Sequence, residues 1–387
     1  MSAGELARRQ LNATFEELCR IASPSRSERA CAEHVARELQ AIGIAVQEDD
    51  AAVHVGSDCG NLLARIEGGA GGEARRSLLL CAHLDTVPLQ APVEPVLEEG
   101  VWQNANEGIL GADNKAAVAL ILALARHAVN EGSPVDLELL FTVGEEIALA
   151  GARAFDASKL RSSFGYVFDH ATPIGEVIVG SPCHFRITAA FRGAAAHAGI
   201  APQEGRSAVL AAAHAIGSLR HGLIEGQGTV NVGMIEGGSA INVVPEHCTV
   251  TAEVRGLDDT RGETLVAEIV DRLHEAANRP ECDCDLDVRV ERTFSGYEIA
   301  PGSPALAVAE AALRTRGYTP QRVRSGGGSD ANALIAQGFP TINIANGTER
   351  PHEPGEQVAV LALEEMLDVG LSLLDEAAAL PASDLDR

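Results

Sequence analysis

A chain of 387 residues is longer than one compact core usually holds and, at roughly 100–200 residues per domain, predicts two domains. Hydrophobic residues at 46% and charged residues at 22% exclude intrinsic disorder, and aromatics at 3% leave the core to Ala, Val, Leu and Ile. The formal charge of −25 argues against nucleic-acid or anionic-membrane partners, whose phosphates would be repelled by the field of the whole molecule.

Apolar residues at helical spacing (Leu11, Phe15, Leu18, then Ala32, Val35, Leu39) predict two helices flanking the turn Ser23-Pro24-Ser25. Segments 61–67 and 77–83 are strand-like, and Gly68-Gly69-Ala70-Gly71-Gly72 between them lacks a following GK[ST], so it predicts a hairpin turn rather than a phosphate cradle. Residues 116–129 form a helix that is apolar nearly all round and must be buried. Strands follow at 137–143 and 166–169. Strand, buried helix, strand is the rhythm of a mostly parallel sheet covered by helices on both faces. Beyond about Ser181 the pattern changes to alternating strands at 185–191, 229–235 and 249–255, interleaved with helices at 206–220 and 259–277. That order predicts an α+β two-layer sandwich. The earlier pattern resumes near Phe294 and ends in a helix over 361–379. The expected fold is therefore α/β, with a first domain formed by residues 1–181 and 293–387 and an inserted domain over 182–292.

Glu5, Glu16 and Glu17 interrupt the first twenty residues, which predicts no secretory signal there, and the longest apolar run, 116–125, is about half a bilayer span. The eight cysteines include no CxxC pair and read as reduced thiols, with Cys282-Asp283-Cys284 expected to alternate along a strand. A cytoplasmic protein without membrane association is expected.

Five segments place acidic or imidazole residues where strands should end, the usual location of sites in open α/β sheets. In 81–88 (CAHLDTVP) alternation puts His83 and Asp85 on one face, so that one can bind a metal while the other orients the ring. Asp113 precedes the buried helix, where it could also be a simple cap. Glu145 and Glu146 follow a strand of hydrophobic residues; as neighbours in extended chain they diverge, one toward a metal and one toward substrate. Asp169 ends the next strand, and His352 stands in Pro351-His352-Glu353-Pro354. Two imidazoles and three carboxylates (His83, His352, Asp113, Glu146, Asp169) are the ligand types that hold a pair of zinc-like ions without thiolate. If Asp113 bridges, each ion receives one His, one terminal carboxylate and a share of the bridge. Such a pair activates water and polarises a carbonyl, and Glu145 would move the proton from water to the leaving amine.

Seven motifs, spread over nearly the whole chain, carry a resemblance: CAHLDTVP (81–88), GILGADNKAAVA (108–119), FTVGEEIALAGA (141–152), FDHATPIGE (168–176), AHAGIAPQEGRSA (196–208), NVGMIEGGSAINVVPEH (231–247) and GGGSDANAL (326–334). In this order they resemble the M20 family of dinuclear zinc peptidases and amidohydrolases, most closely its peptidase T-like tripeptidase branch. The resemblance implies that His83, Asp113 and Asp169 hold one metal, that Asp113, Glu146 and His352 hold the other, that Glu145 is the catalytic base and that Asp85 orients His83. It also implies a cis peptide at Asp113-Asn114, an inserted lid through which homodimers form, and a short-peptide substrate contacted by His197, Asn242, Arg255 and the loop ending at Ser329. His197 would stabilise the oxyanion, and Arg255 would grip a substrate carboxylate or else be a sheet-edge charge. Zinc is the expected metal, with cobalt and manganese as alternatives. The chain departs from the branch at 349–354 (ERPHEP), where Asn-Ile-His and a small hydroxyl residue would stand, and at His170, where glycine would follow the aspartate. Lys115 is expected either to pair with acid or to be solvated. The competing activities are removal of an acyl group from an amino acid on the same metal centre and a catalytically inactive binding protein.

Overall fold

The computed structural model describes residues 3–68 and 76–380, which divide into two compact units. One comprises Met1–Gly180, Glu298–Ser325 and Ser329–Arg387; the other comprises Ser181–Tyr297 with Gly326–Gly328. Among the described residues no helix is long and apolar enough to cross a membrane.

The first unit is built on a nine-stranded sheet. Its centre is parallel: Asp136–Thr142, Ser77–His83, Phe164–His170 and Thr341–Ala345 lie side by side in that order. These strands are buried along nearly their whole length, which is why each reads as a continuous apolar run rather than an alternation. Antiparallel strands extend both sides, Leu62–Ile66 with Val46–Glu48 on one and Glu176–Ser181 on the other. The helices Glu5–Arg20, Ala112–Asn130, Pro304–Thr315 and Val360–Ala379 share one core with the sheet. Ala112–Asn130 is buried on nearly every face, as its composition requires.

The expected hairpin is corrected here. Leu62–Ile66 and Ser77–His83 do not pair with each other but flank Asp136–Thr142, one antiparallel to it and the other parallel. A strand this apolar needs hydrogen-bonding partners on both edges, and the earlier strands supply them. Residues 69–72 of the glycine-rich stretch lie outside the described residues.

A separate four-stranded sheet was not foreseen. Thr348–Glu349 and Gln357–Ala359 form a hairpin that continues through Val101–Asn104 to Pro95–Glu98. Its hairpin loop carries His352.

The second unit is an antiparallel sheet in the order Gly222–Ile224, Gly228–Gly237, His247–Gly256, Cys183–Arg192, Asp285–Phe294. Alternate residues Phe185, Ile187, Ala189 and Phe191 are buried in a core with Val250, Val254 and the apolar stripes of the helices Ala208–Ser218 and Asp259–Ala277. This is the two-layer sandwich the alternation predicts. Cys282-Asp283-Cys284 is a turn rather than a strand, with Asp283 at φ 42° and its N–H donating to the Arg279 carbonyl, so the strand begins only at Asp285. All eight cysteines are buried and unpaired.

Candidate active site

Three parallel strands, one helix start and one hairpin loop converge at the C-terminal edge of the first unit's sheet. His83 is the last residue of its strand, Glu145 and Glu146 follow Thr142 after a two-residue turn, and Asp169 is the penultimate residue of its strand. Asp113 sits in a non-helical segment just before the regular part of the buried helix, and the Asp113-Asn114 peptide is cis, as the family resemblance led us to expect.

His83 is buried, with its Nε2 3.3 Å from Asp113 Oδ1 and 3.7 Å from Asp169 Oδ1. His352 Nε2 lies 3.3 Å from Asp113 Oδ2 and 2.9 Å from Glu146 Oε1. Asp113 thus offers one oxygen to each imidazole. The ligand atoms of His83, Asp113 and Asp169 lie within 4.8 Å of one another, as do those of Asp113, Glu146 and His352. The same limit joins Glu145 to His83 and Glu146, so its carboxylate borders the cluster.

Buried carboxylates brace the turn that carries the two glutamates. Asp85 Oδ1 accepts the Glu145 N–H at 2.9 Å, and Oδ2 accepts the Glu146 N–H at 3.1 Å and the Ser25 hydroxyl at 2.7 Å. Glu28 accepts the N–H of Gly144 at 3.0 Å. Gly144 itself adopts φ 61°, and a Cβ there would lie 2.9 Å from Val55. The orienting role expected of Asp85 falls largely to its backbone: His83 Nδ1 is 3.0 Å from the Asp85 carbonyl and 3.4 Å from Oδ1. Asp85→Ala therefore leaves two N–H groups without acceptors. We expect a loss of about 1–3 kcal/mol per group, read by thermal melting, and a weakening of metal affinity of about 10–100-fold, read by titration with a competing chelator.

The cluster is short of positive charge. Burial, then Asp113, pushes the Asp169 carboxyl up to about 7; burial, then Asp169 and Glu146, pushes Glu145 well above the carboxylate range. Burial also raises Glu146. At Asp113 burial acts the same way, but His352 and His83 outweigh it and hold the carboxyl low. Hydrogen bonds to Asp113 and Glu146 raise His352 to about 10, and His83 rises well above its usual value because Asp113, Asp169 and Asp85 outweigh its burial. Four carboxylates gathered out of water require cations, and the donor set of two imidazoles and three carboxylates, divided into two triads by a shared aspartate, suits two zinc-like ions.

His197, Asn242 and Arg255 lie in the second unit. The loop of His197 pairs with that of Asn242 through the Ala198 N–H to the Asn242 carbonyl at 2.9 Å, and both side chains are exposed. His197 Nδ1 accepts the Gly199 N–H at 3.1 Å, which places the proton of the neutral ring on Nε2. Arg255 contacts Glu253 at 3.3 Å and the Gly326 carbonyl at 3.4 Å. Glu253 is drawn down to about 2, chiefly by its hydrogen bond with His184 and further by Arg255. Ser329, expected at the end of a loop whose backbone approaches substrate, is 2% exposed and caps the helix Asp330–Ala336, its N–H donating to Asn332 Oδ1 at 3.1 Å. Lys115 is 1% exposed, is paired with no acid among the described residues, and donates its ammonium to the Ile21 carbonyl at 2.5 Å. His170 is half-buried, 4.0 Å from Glu176.

Three buried acids escaped the sequence reading. Asp330 accepts the Thr142 hydroxyl, and burial pushes its carboxyl up to about 6. Glu28 holds Gly144, and Glu356 binds the Asp113 segment. Asp330 stands inside a motif already singled out and Glu356 four residues after His352, but nothing local distinguishes Glu28 from a surface acid.

The peptidase family M28 model matches residues 61–172, and the M20 peptidase dimerisation domain matches residues 182–281. The uncharacterised protein YqjE of Bacillus subtilis strain 168 is 32% identical over 368 residues, covering 94% of this chain and 97% of its own. Among solved structures, the aminopeptidase PepT of Bacillus cereus ATCC 10987 is similar with 32% identity and a TM-score of 0.84, and a tripeptidase of Staphylococcus aureus Mu50 with 30% identity and a TM-score of 0.89. Each covers 96% of this chain and is itself covered over 99%. Near-complete alignment at this identity, with a match to the M20 peptidase dimerisation domain, shows that the chain belongs to the M20 family of metallopeptidases, in its peptidase T-like branch.

Proposed function

We propose that this protein is an aminopeptidase that hydrolyses short peptides with two divalent metal ions, releasing the N-terminal residue. The observation that carries this reading is the division of the Asp113 carboxylate, one oxygen facing His83 and the other His352, with Glu145 at the border of the cluster. His83, Asp113 and Asp169 would hold one ion and Asp113, Glu146 and His352 the other. Zinc suits these donors best, and cobalt or manganese would also be accepted. When bound, the pair supplies Lewis acidity that activates water and polarises a carbonyl. Glu145 takes the proton of the attacking water and returns it to the leaving amine, while Asp85 holds the Glu145 backbone in place. The family resemblance assigns His197, with Asn242 beside it, to stabilising the oxyanion in its own or a neighbouring subunit's site, and Arg255 would receive the substrate carboxylate. The names of the B. cereus and S. aureus relatives support a peptide rather than an acylated amino acid as substrate.

We expect purified protein to carry two zinc equivalents by elemental analysis, to lose activity on chelation, and to turn over tripeptides in preference to N-acylated amino acids. Turnover of the acylated compounds alone, with both metals bound, would move the protein to the amidohydrolases of the same plan.

A homodimer formed through the second unit belongs to the same proposal. The strand Gly228–Gly237 pairs on its outer side only as far as Val230, so among the described residues its remainder is an open edge, on which Met234 and Ile235 are 64% and 53% exposed. The match to the dimerisation domain supports this reading. Eight unpaired cysteines support a reducing compartment, the cytoplasm.

A further inference from the structure

Glu356 follows His352 by four residues, at the end of the same loop, and is 1% exposed. Its Oε2 accepts the N–H groups of Leu110 and Gly111 at 2.8 and 2.7 Å, and its Oε1 accepts that of Asp113 at 2.8 Å. Its own N–H donates to the Glu353 carbonyl at 3.1 Å, which closes the His352 loop onto the carboxylate. No ion pair is found for it among the described residues, so the contacts of this buried carboxylate are backbone N–H groups. Two of the three amides precede the helix and the third belongs to Asp113, so the contact is more than a helix cap. It joins the loop of one expected metal ligand to the backbone of another. Within that loop Arg350, His352 and Gly355 all take positive φ, and the His352 side chain is half exposed, so packing alone does little to hold the imidazole.

We propose that Glu356 is a positioning residue for the metal centre, a strut that holds His352 and Asp113 at the separation at which both can ligate the ion they share with Glu146. The inference rests on the two-metal reading above and goes beyond its ligands and base. Charge is not what makes it specific. The two oxygens face amides on either side of the bend at Gly111, so Glu356→Gln preserves volume and one acceptor but turns an NH2 toward an N–H.

The control is Glu138→Gln. Glu138 is also 1% exposed and accepts two backbone N–H groups, of Arg161 and Ser162 at 2.7 and 2.8 Å, but it braces a turn that holds none of the expected ligands. Wild type and both variants are titrated with zinc against a chromophoric chelator, loaded with cobalt for visible spectroscopy, and assayed for kcat and KM on a tripeptide. In Glu356→Gln one ion should bind as in wild type and the other about 10–100-fold more weakly. The cobalt spectrum should change, and kcat should fall at constant KM and recover in part with excess zinc. Glu138→Gln should lower the melting temperature and leave all of these readouts unchanged. Wild-type affinities and spectrum in Glu356→Gln, or equal metal loss in Glu138→Gln, would overturn the assignment. Should Glu356→Gln not fold, Glu356→Asp, which keeps both oxygens but retracts them by one methylene, carries the same comparison with the same expected loss at one ion. Wild-type protein that binds fewer than two ions would instead remove the two-metal reading itself.

Discussion

Replacing Asp113 with alanine is expected to strip the protein of its paired metals and to lower kcat/KM for a tripeptide by about 10³-fold or more, while leaving the chain folded. The two oxygens of this carboxylate lie at the same distance, 3.3 Å, from His83 Nε2 and His352 Nε2, so its removal takes a ligand from both triads at once. Each triad would keep only two ligands, His83 with Asp169 at 3.7 Å and His352 with Glu146 at 2.9 Å. Two-ligand sites hold zinc poorly, because structural and catalytic sites alike use at least three protein donors. The fold should survive, since the substitution removes one carboxylate from a crowded acidic cluster and leaves His83 beside Asp169 and His352 beside Glu146. Elemental analysis and circular dichroism on the same preparation separate metal loss from unfolding. A folded variant that retained two ions and a tenth of the activity would place the metals elsewhere.

Glu145→Gln should give the opposite pattern: two ions retained, KM within a few-fold of wild type, and kcat lowered by about 10²–10⁴-fold, the usual contribution of a general base. The glutamine is isosteric, and the turn that carries it is held through the Glu145 backbone N–H to Asp85, which the substitution does not touch. What changes is proton capacity alone. Burial, with Asp169 and Glu146 as neighbours, raises the affinity of this carboxylate for a proton, which fits the base role proposed for it. Unchanged hydrolysis in a variant with full metal content would end the mechanism proposed for Glu145. The contrast with Asp113→Ala makes the pair informative, since one substitution removes the ions and the other spares them.

Much of the site was legible because its residues sit where local pattern is strongest. His83, Glu145, Glu146 and Asp169 each terminate or follow a run of hydrophobic residues, and a charged group at that point marks the edge of a buried strand. Asp113 stands between a glycine-flanked turn and an apolar helix, a pattern that a simple cap shares, and the family resemblance supplied its expected role. His352 was harder to place. It stands in a short hairpin of a separate small sheet, whose two- to four-residue strands carry too little periodicity to be predicted.

The errors have a common origin. Two strands separated by glycines look like a hairpin, yet Asp136–Thr142 is inserted between them, and no feature of either strand announces a partner 59 or more residues later. The sequence places Ser329 at the end of a substrate-facing loop, and only the structure shows that it is also a buried helix cap. Glu356 and Glu28 are two of 55 acidic residues and show their importance only through the amides they receive.

Sequence alone determined the identities of the chemical groups, the periods that sort strands from helices, and the ends of elements at which charge must stand, because each depends on side chains within a few positions of one another. Only the tertiary structure decided which strands lie side by side, how one carboxylate comes to face two imidazoles, and which buried acids are satisfied by distant backbone. Those outcomes depend on hydrogen-bond partners and desolvation supplied by segments far away in the chain, and no local pattern encodes them.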